Sequence, residues 1–501
     1  MLKLIPLVCG IVGLLVAFSL YSWVLRVSRG DKTLANASDS NNDEQLVFNK
    51  DWLSIIIIIV VIGVAIGIAI GWICGVLFGC GAGVFLLIEF VSIKVLSKGI
   101  RKFNNAEGEE SKLFKLAFRT SAAVGLFIAS IGLLALGAIF IPLKLSTAIA
   151  AIACYGFGAC TMALFSNAKF TGVADSYISY LESLISVIIL SKLAVNSSGI
   201  TSTFSSSIIA IFPLLITGVG ILACCIGILF VRSKNNTKLS VRMNVPLIVC
   251  SVILIACSIL ISMKLLQIYA YGITIAVGII LGVLSGIFYS KGSRFLPGLL
   301  FVATFLVSYI LSGLYGMALA SIGFVSATAI LVAIELYGLV SNTNNVSVKL
   351  SSGYSTFASG LTVLAIFVAY IDSSKLTAVN LINPITLACL IVGIMMPMIY
   401  VTMTRRSFLA YKRYDYLMKL TALFVPAAIG CFFGVEALGG LLGGLITSGL
   451  IISFVVDDQT DSQEEGFSVS ISSSINILIK YMTAFSLVFV PIFARFGNFF
   501  F

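Results

Sequence analysis

Apolar residues along this chain come in runs of about twenty, separated by short polar breaks. That length carries an α-helix across the hydrocarbon layer of a bilayer, so each run predicts a spanning helix. The short alternating segments that a spanning barrel needs do not occur. Sixteen runs can be marked out, at about 4–25, 53–71, 72–93, 120–143, 146–166, 175–191, 206–231, 244–263, 267–289, 295–313, 314–340, 353–371, 384–403, 417–435, 437–456 and 474–494. The first run is too long for a signal-peptide core and ends at no clean small-residue cleavage site, so it is read as a retained anchor. Two stretches read as polar loops, 27–51 and 457–473. Residues 34–50 are rich in Asn, Ser and Asp, and residues 457–466 are acidic. Residues 1–501 as a whole are expected to form one integral membrane domain.

Composition agrees with this pattern and narrows the chemistry. Hydrophobic residues make up 59% of the chain and charged residues 10%, with mean hydropathy +1.13. A soluble domain carries roughly 25% charged residues, and a disordered chain needs high charge and low hydrophobicity, so both classes are excluded. Histidine is absent. That removes imidazole acid–base chemistry and most zinc and haem sites. The eleven cysteines all fall inside apolar runs and form no CxxC, so they are read as buried packing residues rather than a disulfide framework.

The net charge of +11 is mostly a topology signal. Loops after odd-numbered runs, together with Lys419 at the start of the fourteenth run, hold 24 of the 31 basic residues, and loops after even-numbered runs hold only Lys144, Lys192, Lys264 and Lys375. Basic residues favour the cytoplasmic side, so both termini are expected on the other side, outside or in a lumen. A nucleic-acid partner is not expected.

Charges inside the runs are few. Acids stand at Glu89, Asp175, Glu182 and Glu335, and Lys480 is the one base well inside a run. A charge at the bilayer centre costs about 2.5–3.5 kcal/mol on insertion scales, and such residues usually face a bundle interior. Asp175 and Glu182 are seven residues apart, two turns along one helix face and roughly 10 Å along its axis. Lys480 has the opposite sign and is able to pair with either. An ion path gated by this pair and a salt bridge that only ties two helices fit the spacing equally well. Glu89 and Asp175 lie near run ends, where snorkelling to the interface is an alternative. No P-loop, GxSxG, HExxH or EF-hand loop is present. The glycine-rich runs at 75–83 and 439–444 lie inside apolar segments and predict close helix packing.

Several segments resemble the membrane-integral pyrophosphatases, the pyrophosphate-energised proton and sodium pumps. Gly313-Leu-Tyr-Gly-Met-Ala-Leu-Ala320 and Glu335-Leu-Tyr-Gly338 carry the likeness first. Tyr155-Gly-Phe-Gly-Ala-Cys-Thr-Met-Ala-Leu-Phe165 is similar to the family's GFGFGASLIALF, and Phe367-Val-Ala-Tyr370 to FAAY. Glu436-Ala-Leu-Gly-Gly-Leu-Leu-Gly-Gly444 is similar to EALGGLLAG, Ser474-Ile-Asn-Ile-Leu-Ile-Lys480 to SLNILIK, and Leu487-Val-Phe-Val-Pro491 to LVFAP. The order is collinear. The resemblance implies a sixteen-helix bundle, six inner helices ringed by ten, with both termini away from the cytoplasm.

The resemblance also shows what has changed. The family binds magnesium and pyrophosphate in a cytoplasmic-side funnel of aspartates. Its insertion after the fifth span, with DNVGDNVGD, has no counterpart here, and its WDNAKKYIE stretch after the fifteenth span is also missing. Its DAYGPIADNAGG corresponds to residues 335–345, where Glu335 keeps one acid and the second falls on Asn342. Its EYYTS corresponds to Ile287-Phe-Tyr-Ser-Lys291, without the glutamate. Its DPFKDTSGPSLN corresponds to residues 465–476, from Glu465 to Asn476, with Ser468 for the lysine and Val469 for the second aspartate. Magnesium prefers hard carboxylate oxygens, so Glu335, Glu465, Asn342 and Asn476 are a thin remnant of a substrate site. The family's gate pattern A-D-L-F-x-S-Y-x-E, by contrast, is matched by Ala174-Asp-Ser-Tyr-Ile-Ser-Tyr-Leu-Glu182, and the gate lysine by Lys480. Asp175, Ser179, Glu182 and Lys480 are therefore the expected ion gate, although the family's fifth-span arginine falls on Asn167. The leading expectation is a non-hydrolytic homologue that conducts ions passively or regulates an active paralogue, as a homodimer or a mixed dimer. The alternatives are an active diphosphatase pump with a rebuilt, magnesium-dependent site and a purely structural membrane protein. No other cofactor is implied.

Overall fold

In the computed structural model the described residues are 4–30, 52–104, 110–165, 171–197, 203–231, 239–266, 269–290, 295–326, 328–341, 384–404, 408–455 and 465–496. Every regular element among them is helical. In chain order these are α1 (Ile5–Gly30), α2 (Trp52–Ala69), α3 (Trp72–Asn104), α4 (Glu110–Phe140), α5 (Leu145–Phe165), α6 (Thr171–Ser197) and α7 (Thr203–Leu229). There follow α8 (Leu239–Ile261), which closes in a π-helical turn over Ser262–Leu266, then α9 (Tyr269–Ser290), α10 (Phe295–Ser326) and α11 (Thr328–Ser341). The last three are α12 (Pro384–Thr404), α13 (Phe408–Val455) and α14 (Glu465–Phe496). Among the described residues nine helices are long and apolar enough to cross a membrane. The protein is an integral, multi-pass membrane protein.

Two long helices are bent where the sequence divides its runs. In α10 the backbone leaves the helix at Ser312 and Gly313, and Gly313 has φ 65° and ψ −155°. In α13 it does so at Gly434, with φ 81° and ψ −173°. Only glycine enters this region of backbone space at low cost. The run expected at 353–371 lies outside the described residues, as does most of the 27–51 loop.

Some boundaries differ from expectation. Helix α3 continues to Asn104 instead of ending near 93. Val95 and Leu96 keep a buried stripe beyond the apolar run, and Arg101 and Lys102 in the last turn complement the helix dipole. The stretch 457–473, expected as a loop, is helical from Glu465. The cysteines are all free thiols, and seven are buried. Cys80 and Cys431, however, are exposed.

The helices group into two compact units, each assembled from separate stretches. One comprises Met1–Ser54, Leu86–Pro142 and Thr201–Tyr354. Its core is built on α4 and α7, which are largely buried, while α1 and α8 are mostly exposed. Here Gly278 lets α9 approach α10: a Cβ on it would lie 2.2 Å from the Ala320 carbonyl oxygen. At the end of α1, Lys102 donates to the carbonyls of Val24 and Leu25, and the Arg119 guanidinium lies 4.1 Å from the Trp23 ring.

The other unit comprises Ile55–Phe85, Leu143–Ile200 and Ser355–Phe501. Its centre is α6, almost wholly buried, with α5 and α14 packed against it. Phe157 of α5 fixes the α5–α14 contact, with ring centroids 5.4 Å from Tyr481 and 5.7 Å from Phe485. The glycine-rich runs act as the sequence predicts. A Cβ at Gly81 would meet the Tyr155 carbonyl oxygen at 2.0 Å, and one at Gly444 would meet that of Leu390 at 2.1 Å. Small residues here let helix backbones touch where larger ones would hold them apart.

Candidate functional site

The central helix α6 carries polar residues at Asp175, Ser179, Glu182 and Ser186, spaced by four, three and four. That spacing lines one face of a helix. Helix α14 carries Asn476, Lys480 and Thr483 at the same kind of spacing. All seven side chains are buried, and the two stripes lie against each other inside one compact unit.

Lys480 is the centre of the arrangement. Only 1% of it is exposed, and its ammonium forms an ion pair with the Asp175 carboxylate, itself 1% exposed. The same Nζ donates to the Ser179 hydroxyl and, at 3.4 Å, to the Asp175 carbonyl oxygen. An ammonium has three N–H donors, and these three acceptors match them. Ser179 in turn donates to the Asp175 carbonyl at 2.7 Å, so its oxygen is turned toward the lysine. The second Asp175 carboxylate oxygen accepts from the Asn476 amide at 3.4 Å. A buried charge is tolerated when it is paired and its remaining polar sites are filled, and Asp175 meets both conditions.

Glu182 lies two turns further along α6 and is 5% exposed. One carboxylate oxygen is in hydrogen-bond contact with Thr483 of α14. Thr483 also reaches back to the Lys480 carbonyl at 2.8 Å. Lys480 joins the two ends of the cluster: its ammonium meets Asp175 and Ser179, and its backbone carbonyl accepts from Thr483, which also contacts Glu182. Cys160 of α5 faces the cluster within the electrostatic reach of both Glu182 and Lys480. Around it, the Tyr155 and Tyr177 hydroxyls bond to each other at 3.1 Å. The arrangement can hold a cation or proton on a fixed carboxylate while a built-in cation competes for it.

The structure therefore brings together Asp175, Ser179, Glu182 and Lys480. It gives Asp175 a buried place in the second turn of α6, because the helix begins at Thr171 and not at 175. Snorkelling of Asp175 to the interface is excluded by that burial. Asn476, read from sequence with the substrate remnant, donates from its amide nitrogen to Asp175. Thr483 went unread, although it stands three residues after Lys480 on the same face. Glu335 stands on α11 and Glu465 opens α14, but their side chains, like residue Asn342, lie outside what the structure describes. Glu89 is half-buried in the middle of the extended α3 rather than near a helix end.

Comparison with known proteins gives this polar column a context. Residues 11–172 and 275–352 match the family model described as inorganic H+ pyrophosphatase. The chain is related to this family. A protein of Clostridium tetani, provisionally named a K(+)-stimulated pyrophosphate-energized sodium pump, is 22% identical, with 86% of this chain and 85% of that protein covered. A K(+)-insensitive pyrophosphate-energized proton pump 2 of Moorella thermoacetica is 24% identical, with 73% of this chain and 70% of that protein covered. The first of these likenesses runs over 597 aligned positions, more than this chain has residues, so the relative carries insertions that this chain lacks. The two stripes of the polar column, from Asp175 onward, fall outside the stretches that match the family model.

Proposed function

We propose that this protein is a member of the pyrophosphatase-pump family that keeps the ion gate and has lost pyrophosphate hydrolysis. In this reading it conducts a cation passively or regulates an active paralogue, as a homodimer or as a mixed dimer. The observation that carries it is the Asp175–Lys480 ion pair with Ser179, Asn476 and the Glu182–Thr483 contact around it. Its helices sit in the sixteen-span, two-ring bundle of the family, six inside and ten outside, with both termini on the non-cytoplasmic side. The near-complete burial of α5 and α6 beside a mostly exposed α12 supports that division.

The loss of hydrolysis rests on the donor set. Pyrophosphate is a polyanion handled with magnesium, and magnesium asks for several hard carboxylate oxygens. The candidates are two carboxylates, Glu335 and Glu465, and two amides, Asn342 and Asn476. Only five residues join α5 to α6, too few for an acid-rich insertion. This set does not fit a site holding several magnesium ions.

Magnesium-dependent pyrophosphate hydrolysis by the purified protein, beside a working pump as control, tests the reading. No release of phosphate from folded protein is the expected result. Turnover would favour the second reading, an active diphosphatase pump with a rebuilt site, which the names of the relatives support. Cation flux into proteoliposomes separates a gate from a strut. Ser179→Ala is expected to change flux in protein that remains assembled, whereas an unchanged or absent flux would favour a purely structural role for the cluster.

A further inference from the structure

Thr483 has one hydroxyl hydrogen and two acceptors. Its oxygen lies 2.8 Å from the Lys480 carbonyl, the usual reach of a helix threonine to the turn before it, and it is also in contact with the Glu182 carboxyl. A hydroxyl donates once and accepts through its lone pairs. When Glu182 is charged, both neighbours are pure acceptors and the hydrogen serves only one; the charged partner takes it, because bonds to ions are the stronger ones. When Glu182 is protonated, it can donate to the Thr483 oxygen, and the threonine hydrogen is released to the Lys480 carbonyl. Both polar contacts are then satisfied at once.

From this we infer that Thr483 is a positioning residue whose hydroxyl switches between Glu182 and the Lys480 carbonyl with the charge state of Glu182, linking that carboxyl to the helix turn that carries the gate lysine. No bond to carbon, oxygen or nitrogen of the threonine is broken. The hydroxyl turns about its C–O bond, and the proton gained or lost belongs to Glu182. Among the described residues, the titratable or charged groups around Glu182 include Cys160 on α5, which is also within electrostatic reach of Lys480 on α14, and Lys480 is in turn paired with Asp175 on the helix of Glu182. None of them replaces Thr483, because the hydroxyl is the group in contact with both the carboxyl and the turn of α14.

The inference uses the gate reading only for its consequence in transport, and the test keeps the two apart. The full-length protein in lipid is titrated under infrared difference spectroscopy, and the Glu182 carboxyl band is assigned by its disappearance in Glu182→Gln. In Thr483→Val that band is expected at higher wavenumber, because the acid has lost its hydrogen bond to the threonine hydroxyl, while Thr483→Ser leaves it in place. Cation flux is expected to fall about tenfold in the valine variant, the equivalent of one lost hydrogen bond, and to be restored by serine. A Glu182 band at the same position in Thr483→Val, or no Glu182 band that titrates at all, overturns the inference. Should the valine variant fail to fold, Thr483→Ala is read in the same way. A shifted band without any flux in the wild type leaves the switch standing and removes the gate; normal flux with an unmoved band does the reverse.

Discussion

Lys480 is 1% exposed and carries a full charge, so its neighbours decide whether the helix pair is stable. Removing one member of a buried pair leaves the other charge stranded, at about 3–5 kcal/mol, whereas removing both is often nearly neutral. Lys480→Met is therefore expected to lower thermal stability strongly, and the double variant Asp175→Asn/Lys480→Met to recover most of the loss. A fluorescence melting series on detergent-solubilised protein checks this; equal melting of the single and double variants would show that the pair is not coupled. The same physics explains what could be read in advance. Asp175, Glu182 and Lys480 stood out because charges within apolar runs are rare and costly. Thr483 did not, because buried hydroxyls are common here and most only bond their own helix. Thr120, Thr161 and Ser121 each donate to the carbonyl four residues back, and apart from its place three residues after Lys480 nothing in the local sequence separates Thr483 from them. Its role depends on a partner 301 positions away.

At the scale of the element, glycine decides both the bends and the closest contacts. Gly434 sits in a backbone region that side chains enter only at about 1–3 kcal/mol. Gly434→Ala is expected to destabilise the protein by that amount, while alanine at Gly79, where an added Cβ meets nothing within 4 Å, is expected to be neutral. Gly158→Val is a sharper test of packing. Its first added carbon would lie 1.9 Å from the Phe78 carbonyl oxygen, which is backbone and unable to rotate away. Overpacking of this kind costs about 1–3 kcal/mol or more, and melting temperature measured beside Gly79→Ala reads it directly. The bends were legible, since the apolar runs part within a few residues of Gly313 and Gly434. Helix ends were less so. Hydropathy records where lipid stops, but α3 runs on to Asn104 because its backbone bonds, its buried Val95 and Leu96 and its basic last turn do not depend on lipid.

For the whole molecule the open physical question is orientation, because it decides which solution each acid can meet. Basic residues are held back on the cytoplasmic side during insertion, and 24 of 31 lie in loops after odd-numbered runs or, for Lys419, at the adjoining start of the fourteenth run. The bias is concentrated where α3 ends and α4 begins, around Lys94, Lys98, Arg101, Lys102, Lys112 and Lys115. A reporter enzyme active only outside the cytoplasm is therefore expected to work when fused after Phe501 and to be silent when placed in the connection between Asn104 and Glu110. The opposite pattern would invert the molecule. The consequence reaches the chemistry. With the expected orientation Glu335, near the end of the eleventh run, and Glu465, before the sixteenth, both lie toward the cytoplasm, where pyrophosphate would arrive. Glu182 then lies deeper than Asp175, on the outward side of the ion pair. A cation leaving outward would meet Asp175 and Lys480 first and Glu182 with Thr483 second. Inverted insertion would reverse that order and remove any access of cytoplasmic pyrophosphate to the two remaining acids. The fusion result thus fixes the direction in which any flux through the column is to be read.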